Sequence, residues 1–346
     1  MPTPTAATIA SIAARAGVGT ATVDRVLNGR PGVNANTMQR VMQVVAEMGA
    51  PPLRGRPRTT DNFRFVFVLP ADASPFLELM ERQIAQAASD FRHQHITEIT
   101  QRFETVDSEQ FAANVSNLSS ECEGVALVAP DLPAVKLAIN HLVRAGVHVV
   151  TLYSDVAGSM RETHIGADNR AAGRTAGLLL ARMAGAAGRD TLLLSSQATR
   201  LSAEIDRRIG FAQVLEERFP KLRLQRTPDL PADDTGAQRA LLRAFKKDIE
   251  VARVAGIYNV GSGSTGVTRA LENAGLSGSV GAVAHDFTDA HRALLSAGAL
   301  SYVLHQDLHY CVLTAARVLR ALCENVRGAL SVVQPRIEIL TAENLY

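Results

Sequence analysis

The sequence predicts an all-α helix-turn-helix headpiece joined to an α/β domain of two lobes, with parallel sheets and helices on both faces. Three observations carry this. Residues 1–60 hold seven arginines, no lysine and two acids (Asp24 and Glu47), a surplus of +5, whereas the remainder holds 29 basic and 32 acidic groups, a net of −3. Apolar residues recur at helical spacing in three short runs before residue 50. From Phe63 onward, short apolar runs alternate with amphipathic stretches. The division is therefore a headpiece over 1–50, a linker over 51–61 and a larger domain over 62–346. The whole-chain net charge of +2 averages over this split and, taken alone, argues against a nucleic-acid partner.

Composition narrows the function classes. With 47% hydrophobic and 20% charged residues the chain can build a large core and is not of disordered type. No run of 18 apolar residues exists, so no membrane partner is expected. Cys122, Cys311 and Cys323 show no CxxC spacing, which argues against structural zinc or a disulfide framework and fits a reducing compartment. The opening MPTPTAATIASIAARAG has no basic stretch followed by a long apolar core, so a cytoplasmic protein is expected.

In the first helix Thr8 is the expected cap, Ile9, Ile12, Ala13 and Ala16 form the apolar face, and Gly17 ends it. A second helix from Thr20 buries Val23, Val26 and Leu27. It stops at Asn28-Gly29. Asn34 caps a third, with Met38, Val41, Met42, Val45 and Met48 on its buried face. Small Ala13, turn Gly17 and apolar Val23 stand where a helix-turn-helix needs a close contact, a turn and an anchor. An ordinary three-helix bundle has similar spacing; the clustered arginines favour the DNA-binding form.

The run TVDRVLNGRPGV, with Thr8-Ile9, Ala13, Ala16-Gly17-Val18 and Val33, resembles the headpiece of the lactose-repressor (LacI/GalR) family of bacterial regulators. That resemblance implies double-stranded DNA with a palindromic operator as partner, and a homodimer to read it. Thr20, Ala21 and Arg25 would then meet base edges, Arg25 having the fork for a guanine. Thr8, Asn28, Asn34 and Thr37 match family positions that hold phosphates. Asp24 stands where the family usually has Ser, and a local cap or ion pair is its expected role.

The segment from Gly49 to Thr60 is rich in Pro, Gly and Arg and lacks an apolar period, so it reads as a linker. The family continues here into a hinge helix, but Pro51-Pro52 and Gly55 before Pro57 oppose one. Arg54-Gly55-Arg56-Pro57 instead resembles an AT-hook core, which lays Arg54 and Arg56 in a narrow A·T minor groove. Loose phosphate contacts from a flexible basic arm are the other reading.

In the larger domain, strands are expected at 65–69, 96–103, 125–129, 147–153, 191–195, 222–226, 254–258, 280–284, 301–304 and 337–340. Helices are expected at 76–91, 134–145, 170–183 and 237–247 among others. Nearly unbroken apolar strands mean sheets covered on both faces, and about 285 residues exceed the need of one sheet. Landmarks Thr151-Leu152-Tyr153-Ser154-Asp155, Gly166-Ala167-Asp168-Asn169, Ala172-Gly173-Arg174, Arg208-Ile209-Gly210-Phe211 and Ala284-His285-Asp286 resemble the periplasmic-binding-protein-like effector domain of the same family, close to ribose-type sugar binders. The likeness implies a small sugar or polyol between the lobes, at the carboxyl ends of the strands. On that likeness the effector set is Ser74, Phe76, Asp131, Tyr153, Asp155, Asn169, Arg207, Asn259, His285, Asp286 and Gln306. Asp155 and Asp286 accept hydroxyl protons, Arg207, Asn259 and Gln306 donate, and Phe76 stacks on a sugar face. Asp168-Asn169 serves equally as a helix cap, and the register of Arg207 against Arg208 stays open.

The expected function is a DNA-binding transcriptional regulator, a repressor controlled allosterically by that ligand, with no cofactor and no catalysis. Two rivals compete. A solute-binding protein without a DNA role explains the larger domain alone. An NAD(P)-dependent oxidoreductase explains Gly261, Gly263 and Gly266, a GxGxxG between a strand and a helix. His305 and His309, four apart, offer a weaker metal reading if they share a helix face.

Overall fold

The computed structural model describes residues 8–27, 33–48, 62–72, 74–198, 200–326 and 331–345. Asn28 and the linker arginines Arg54 and Arg56 lie outside these residues. The headpiece forms three helices, α1 (Ile9–Ala16), α2 (Thr20–Leu27) and α3 (Ala35–Glu47). Thr8 Oγ1 accepts from the Ser11 amide at 3.1 Å and Ser11 Oγ accepts from the Thr8 amide at 2.8 Å, a reciprocal capping box. Gly17, at φ +63°, supplies the left-handed turn after α1. Ile12, Ala13 and Ala16 pack with Val23, Val26, Val41, Val44 and Val45. The face of α3 is rotated from the expected one. Val44 is buried, whereas Met38 and Met42 are exposed, because the stripe runs 41, 44, 45, 48.

The larger domain builds its first lobe from β1 (Phe63–Pro70), α4 (Pro75–His93), β2 (Ile96–Phe103), α5 (Ser108–Asn117), β3 (Gly124–Leu127), α6 (Pro133–Ala145), β4 (His148–Leu152) and β5 (Thr163–Ile165). The strands form one parallel sheet in the order β2-β1-β3-β4-β5. The second lobe follows with α7 (Asn169–Ala187), β6 (Thr191–Ser195), α8 (Ser202–Arg218), β7 (Arg223–Arg226), α9 (Asp234–Lys247), β8 (Val254–Asn259), α10 (Ser264–Asn273), β9 (Gly281–His285), α11 (Asp289–Ser296) and β10 (Tyr302–Gln306). After α12 (Leu308–Cys323) the chain ends on β11 (Ile337–Leu340). This sheet runs β11-β10-β9-β8-β6-β7 and is parallel except for β11, which pairs antiparallel at the edge.

Central strands such as FRFVFVLP of β1 and VAGIYN of β8 are apolar on both faces because helices cover both. In the second lobe α9, α10 and α11 cover one face, and α7 with α8 cover the other. The chain passes between the lobes at 166–168 after β5 and at Asp307 after β10, and it returns to the second sheet between α12 and β11. Gln306 joins the first two crossings, its Oε1 accepting from the Ala167 amide at 3.1 Å. Helix α12 then lies on the first lobe, where Arg320 Nη1 donates to the Gln94 carbonyl.

Candidate functional site: an exposed helix face and an interlobe cleft

In the headpiece, burial of Val23 and Val26 turns the opposite side of α2 to solvent, and Thr20, Ala21 and Arg25 are all exposed there. Arg25 has the reach and fork for a base edge, and small Ala21 beside it permits close approach. Thr8 and Asn34 both act as helix caps, Asn34 Oδ1 accepting from the Thr37 amide at 2.8 Å. A capped helix start is also where amides face a phosphate.

The larger domain holds a cavity of about 550 Å³ between the carboxyl ends of the two sheets. From the first lobe, Asp72, Ser74 and Phe76 reach it from the turn into α4, and Tyr153 from the end of β4. The second lobe adds Gln197, Glu204, Ser262, Ser264, His285, Asp286 and His291. The rings of Phe76 and Tyr153 pack against each other at a tilt of 33°, with centroids 4.0 Å apart. Ser74 Oγ meets Ser262 Oγ at 3.4 Å across the cleft. Tyr153 (φ +59°) and Asp286 (φ +65°) both take left-handed backbone, which aims side chains at strand ends into the opening at a local strain cost.

Arg207 lies directly behind this wall, 2% exposed. Its guanidinium sits 5.0 Å from the centre of the Tyr153 ring, and Nη1 is 3.5 Å from Asp286 Oδ2. Nε donates to Asn169 Oδ1 at 2.8 Å. Burial works against the charge, yet nearby carboxylates, Asp286 first among them, hold the guanidinium above its ordinary value. Burial likewise keeps the Tyr153 phenol protonated. Arg207 faces inward, and Arg208 is half-buried, turned toward Ser196. Two glycines make the placement possible. A Cβ on Gly173 would stand 1.9 Å from the Arg207 carbonyl oxygen, and one on Gly210 would stand 2.0 Å from that of Arg170. Helices α7 and α8 therefore touch backbone to backbone, bringing Arg207 onto Asn169.

A buried polar chain supports the other side. Ser195 Oγ donates to Asn259 Oδ1 at 2.9 Å, and Asn259 Nδ2 donates to Ser264 Oγ at 2.9 Å. The Nδ1 of His291 lies 2.6 Å from the Asp286 carbonyl and so carries the proton. Its Nε2 then accepts from Ser264 Oγ at 2.7 Å. The Tyr258 hydroxyl and His285 Nε2 share a buried hydrogen bond. Burial pushes both histidines below their ordinary range, and nearby Arg207 lowers His285 further, so both are neutral.

Of the expected effector residues, Ser74, Phe76, Tyr153, His285 and Asp286 come together on the cavity wall. Asn169 and Arg207 stand one layer behind them. The remaining four depart from expectation. Asp155 is turned to a side pocket and committed within its own lobe, since Arg161 takes both its oxygens and Thr151 Oγ1 donates at 2.9 Å. Burial opposes its charge, but the Arg161 bonds hold its carboxyl below the usual range. Asp131 lines the same side pocket and pairs with Lys136 at 3.1 Å. Asn259 spends its amide on Gly261, Ser262 and Ser264, and Gln306 is a crossing contact. Glu204, Gln197, Ser262, Ser264 and His291 were not anticipated. Glu204 was findable, standing three residues before Arg207 on one helix face.

The GxGxxG loop is explained by packing. A Cβ on Gly261 would meet Gln197 Oε1 at 1.9 Å, Gly263 has φ +77°, and a Cβ on Gly266 would meet the Asp234 carbonyl oxygen at 1.9 Å. Asp234 Oδ1 accepts from the Gly266 amide at 3.2 Å, placing a carboxylate at the start of α10 where a pyrophosphate would need positive potential. His305 belongs to β10 and His309 to α12, so they share no helix face, and His305 Nδ1 accepts from the Phe287 amide at 3.2 Å. Among the described residues no group of three His, Cys, Asp or Glu side chains is arranged to hold a metal. Among them, too, no helix is long and apolar enough to cross a membrane.

The lacI family of bacterial regulatory proteins matches residues 8–52, and the periplasmic binding protein domain family matches residues 65–326. The chain belongs to the periplasmic binding protein domain family and carries the lacI-family headpiece. Both are regulatory or solute-binding families, not families of enzymes. No curated protein sequence matches the chain. Solved structures share the fold of the binding domain. A candidate LacI transcriptional regulator from Bacteroides fragilis is 18% identical over 82% of this chain and 98% of its own, with a TM-score of 0.72. A solute binding protein of an ABC transporter from Burkholderia graminis, in complex with D-arabinose, is 17% identical over 83% and 98%, at 0.74. GanP, a glucose-galactose binding protein from Geobacillus stearothermophilus, is 17% identical over 82% and 99%, at 0.70. In the periplasmic binding protein domain of this chain, the cavity lies where two lobes face each other across the crossing segments.

Proposed function

We propose that the chain is a transcriptional repressor whose lacI-family headpiece reads a palindromic operator as part of a homodimer in the cytoplasm. A small polyhydroxylated effector in the interlobe cleft controls it. One observation carries this reading: an exposed, arginine-bearing face of α2 and a two-lobed cleft with crossing segments occur in one chain. The sugar ligands of proteins that share the fold, D-arabinose and D-allose among them, support a ligand of that class. Thr20, Ala21 and Arg25 would contact bases, with Thr8, Asn28, Asn34 and Thr37 on phosphates. In the linker, Arg54 and Arg56 would enter an A·T minor groove.

Effector binding closes the lobes onto each other and biases one of two arrangements of the dimer; the shift in operator affinity equals the effector's differential affinity for the two. The test is reciprocal titration. Operator DNA selected from a random pool binds the intact chain, and a saturating effector changes its affinity by the same factor by which DNA changes the effector's. A chain lacking the first sixty residues keeps effector binding and loses DNA binding. Independence of the two affinities refutes the allosteric part, and a solute binder without a DNA role shows no selected operator at all. Replacing Arg54 and Arg56 by alanine weakens operators with an A·T centre more than those with a G·C centre; equal loss refutes the minor-groove arm.

A further inference from the structure

The cleft is charged out of balance. Asp72, Glu204, Asp234 and Asp286 line it against one guanidinium, that of Arg200. Arg207 adds a second from behind. Neither lining histidine corrects the excess, because both are buried neutral; His285 Nε2 is hydrogen-bonded to Tyr258, and both ring nitrogens of His291 are engaged. Asp72 and Asp234 are turned partly to other tasks, accepting from Thr105 Oγ1 at 2.9 Å and from the Gly266 amide at 3.2 Å.

Asp286 is different. Its side chain is 5% exposed, its Oδ2 is held only at 3.5 Å by Arg207, and its Oδ1 has no hydrogen-bond partner. A buried carboxylate oxygen without a donor is costly, and this one belongs to a residue on the cavity wall. The missing donor is therefore one that a ligand can bring. An uncharged hydroxyl satisfies the lone pair but leaves the excess charge, which strengthens as the cleft closes and water leaves. A phosphate adds to the excess. A protonated amine supplies the donor and the charge together.

We propose that the effector is a cationic polyol, an amino sugar or amino alditol, with its ammonium on Asp286 Oδ1; this rests on reading the cleft as the effector site. Hydroxyls of the ligand face Ser74 and Ser262, and its carbon skeleton lies against Phe76.

Matched pairs titrated calorimetrically into the full chain at neutral pH test it. The probes are D-glucosamine, D-galactosamine and D-mannosamine, each against its parent hexose and its N-acetyl derivative, and 1-amino-1-deoxy-D-glucitol against D-glucitol. At least one amine binds about tenfold or more tightly than its uncharged partners. Asp286→Asn reduces that amine to the level of those partners. Asparagine tolerates the left-handed backbone of this position, and the N-acetyl comparison needs no variant at all. Tightest binding by an uncharged sugar overturns the amine and leaves the polyol reading intact. No binding across the whole set overturns both.

Discussion

Arg207 Nε donates to Asn169 Oδ1 at 2.8 Å, and this bond ties the cleft to the segment 166–168 that crosses between the lobes. The same amide, through Nδ2, meets the carbonyls of Tyr153 and Ala167, each at 3.3 Å. One side chain thus senses the first lobe, the crossing segment and the buried guanidinium. Asn169→Ala leaves three groups short of a partner, the guanidinium fully desolvated. A loss of about 1–3 kcal/mol in stability follows, with weaker effector binding because Tyr153 and Asp286 lose their common brace. Thermal unfolding followed by circular dichroism, together with effector titration, checks both. An unchanged midpoint and affinity would show that water replaces the amide without cost.

The contact of α7 with α8 has no room to give. Gly173→Ala drives a methyl toward the Arg207 carbonyl, and Gly210→Ala drives one toward that of Arg170. Neither obstacle is a flexible side chain, so the helices must separate. Each substitution lowers stability by about 1–3 kcal/mol or more, despite the better helix propensity of alanine. Effector affinity falls with it, since separation carries Arg207 away from Asn169. Denaturant unfolding of the two variants settles the sign, because propensity alone predicts a gain.

Much of this was legible in the chain itself. Ten of the eleven strands among the described residues coincide with strands expected from the sequence, and the other, Thr163–Ile165, is too short to carry such a signal. The strand at 337–340 was expected, but its antiparallel pairing was not, because an apolar run carries no mark of direction. Site residues at strand ends were visible where the end itself faces the opposite lobe, as at Tyr153 and Asp286. Asp155 misled because its partner, Arg161, is six residues on in a loop, and no periodicity reports a loop's return. His291 and Gln197 act through atoms brought from distant elements, so nothing local marked them. The glycines of 261–266 were conspicuous but degenerate, since tight packing and phosphate binding both demand glycine.

Four histidines, His164, His285, His291 and His305, are pushed by burial below the ordinary value of 6.5. In the unfolded chain they regain it. Between their folded values and about 6.5 the unfolded state binds more protons, so stability is complete above that pH and declines as pH falls below it. The slope is about 1.4 kcal/mol per pH unit for each histidine that stays neutral in the fold. Unfolding free energies measured from pH 7.5 down to 5 test this. A flat profile would mean that these rings protonate in place.

On α2, charge and geometry make separable contributions to DNA binding. Arg25 is exposed beside Ala21, where a planar fork can take both acceptors of one guanine edge. Lysine keeps the charge and loses the fork. Arg25→Lys therefore weakens the selected operator by about 1–3 kcal/mol and relaxes discrimination at one base pair per half-site. Binding to random DNA, and its dependence on salt, stay nearly as they were, because the count of neutralised phosphates is unchanged. Thr37→Ala gives the complementary pattern, a smaller loss spread evenly over sequences, since its hydroxyl would set register on the backbone and read no base. Anisotropy titrations of operator and random duplexes at two salt concentrations distinguish the two signatures. Equal weakening of both duplexes by Arg25→Lys would assign this arginine to the phosphates and move base recognition to another part of the headpiece.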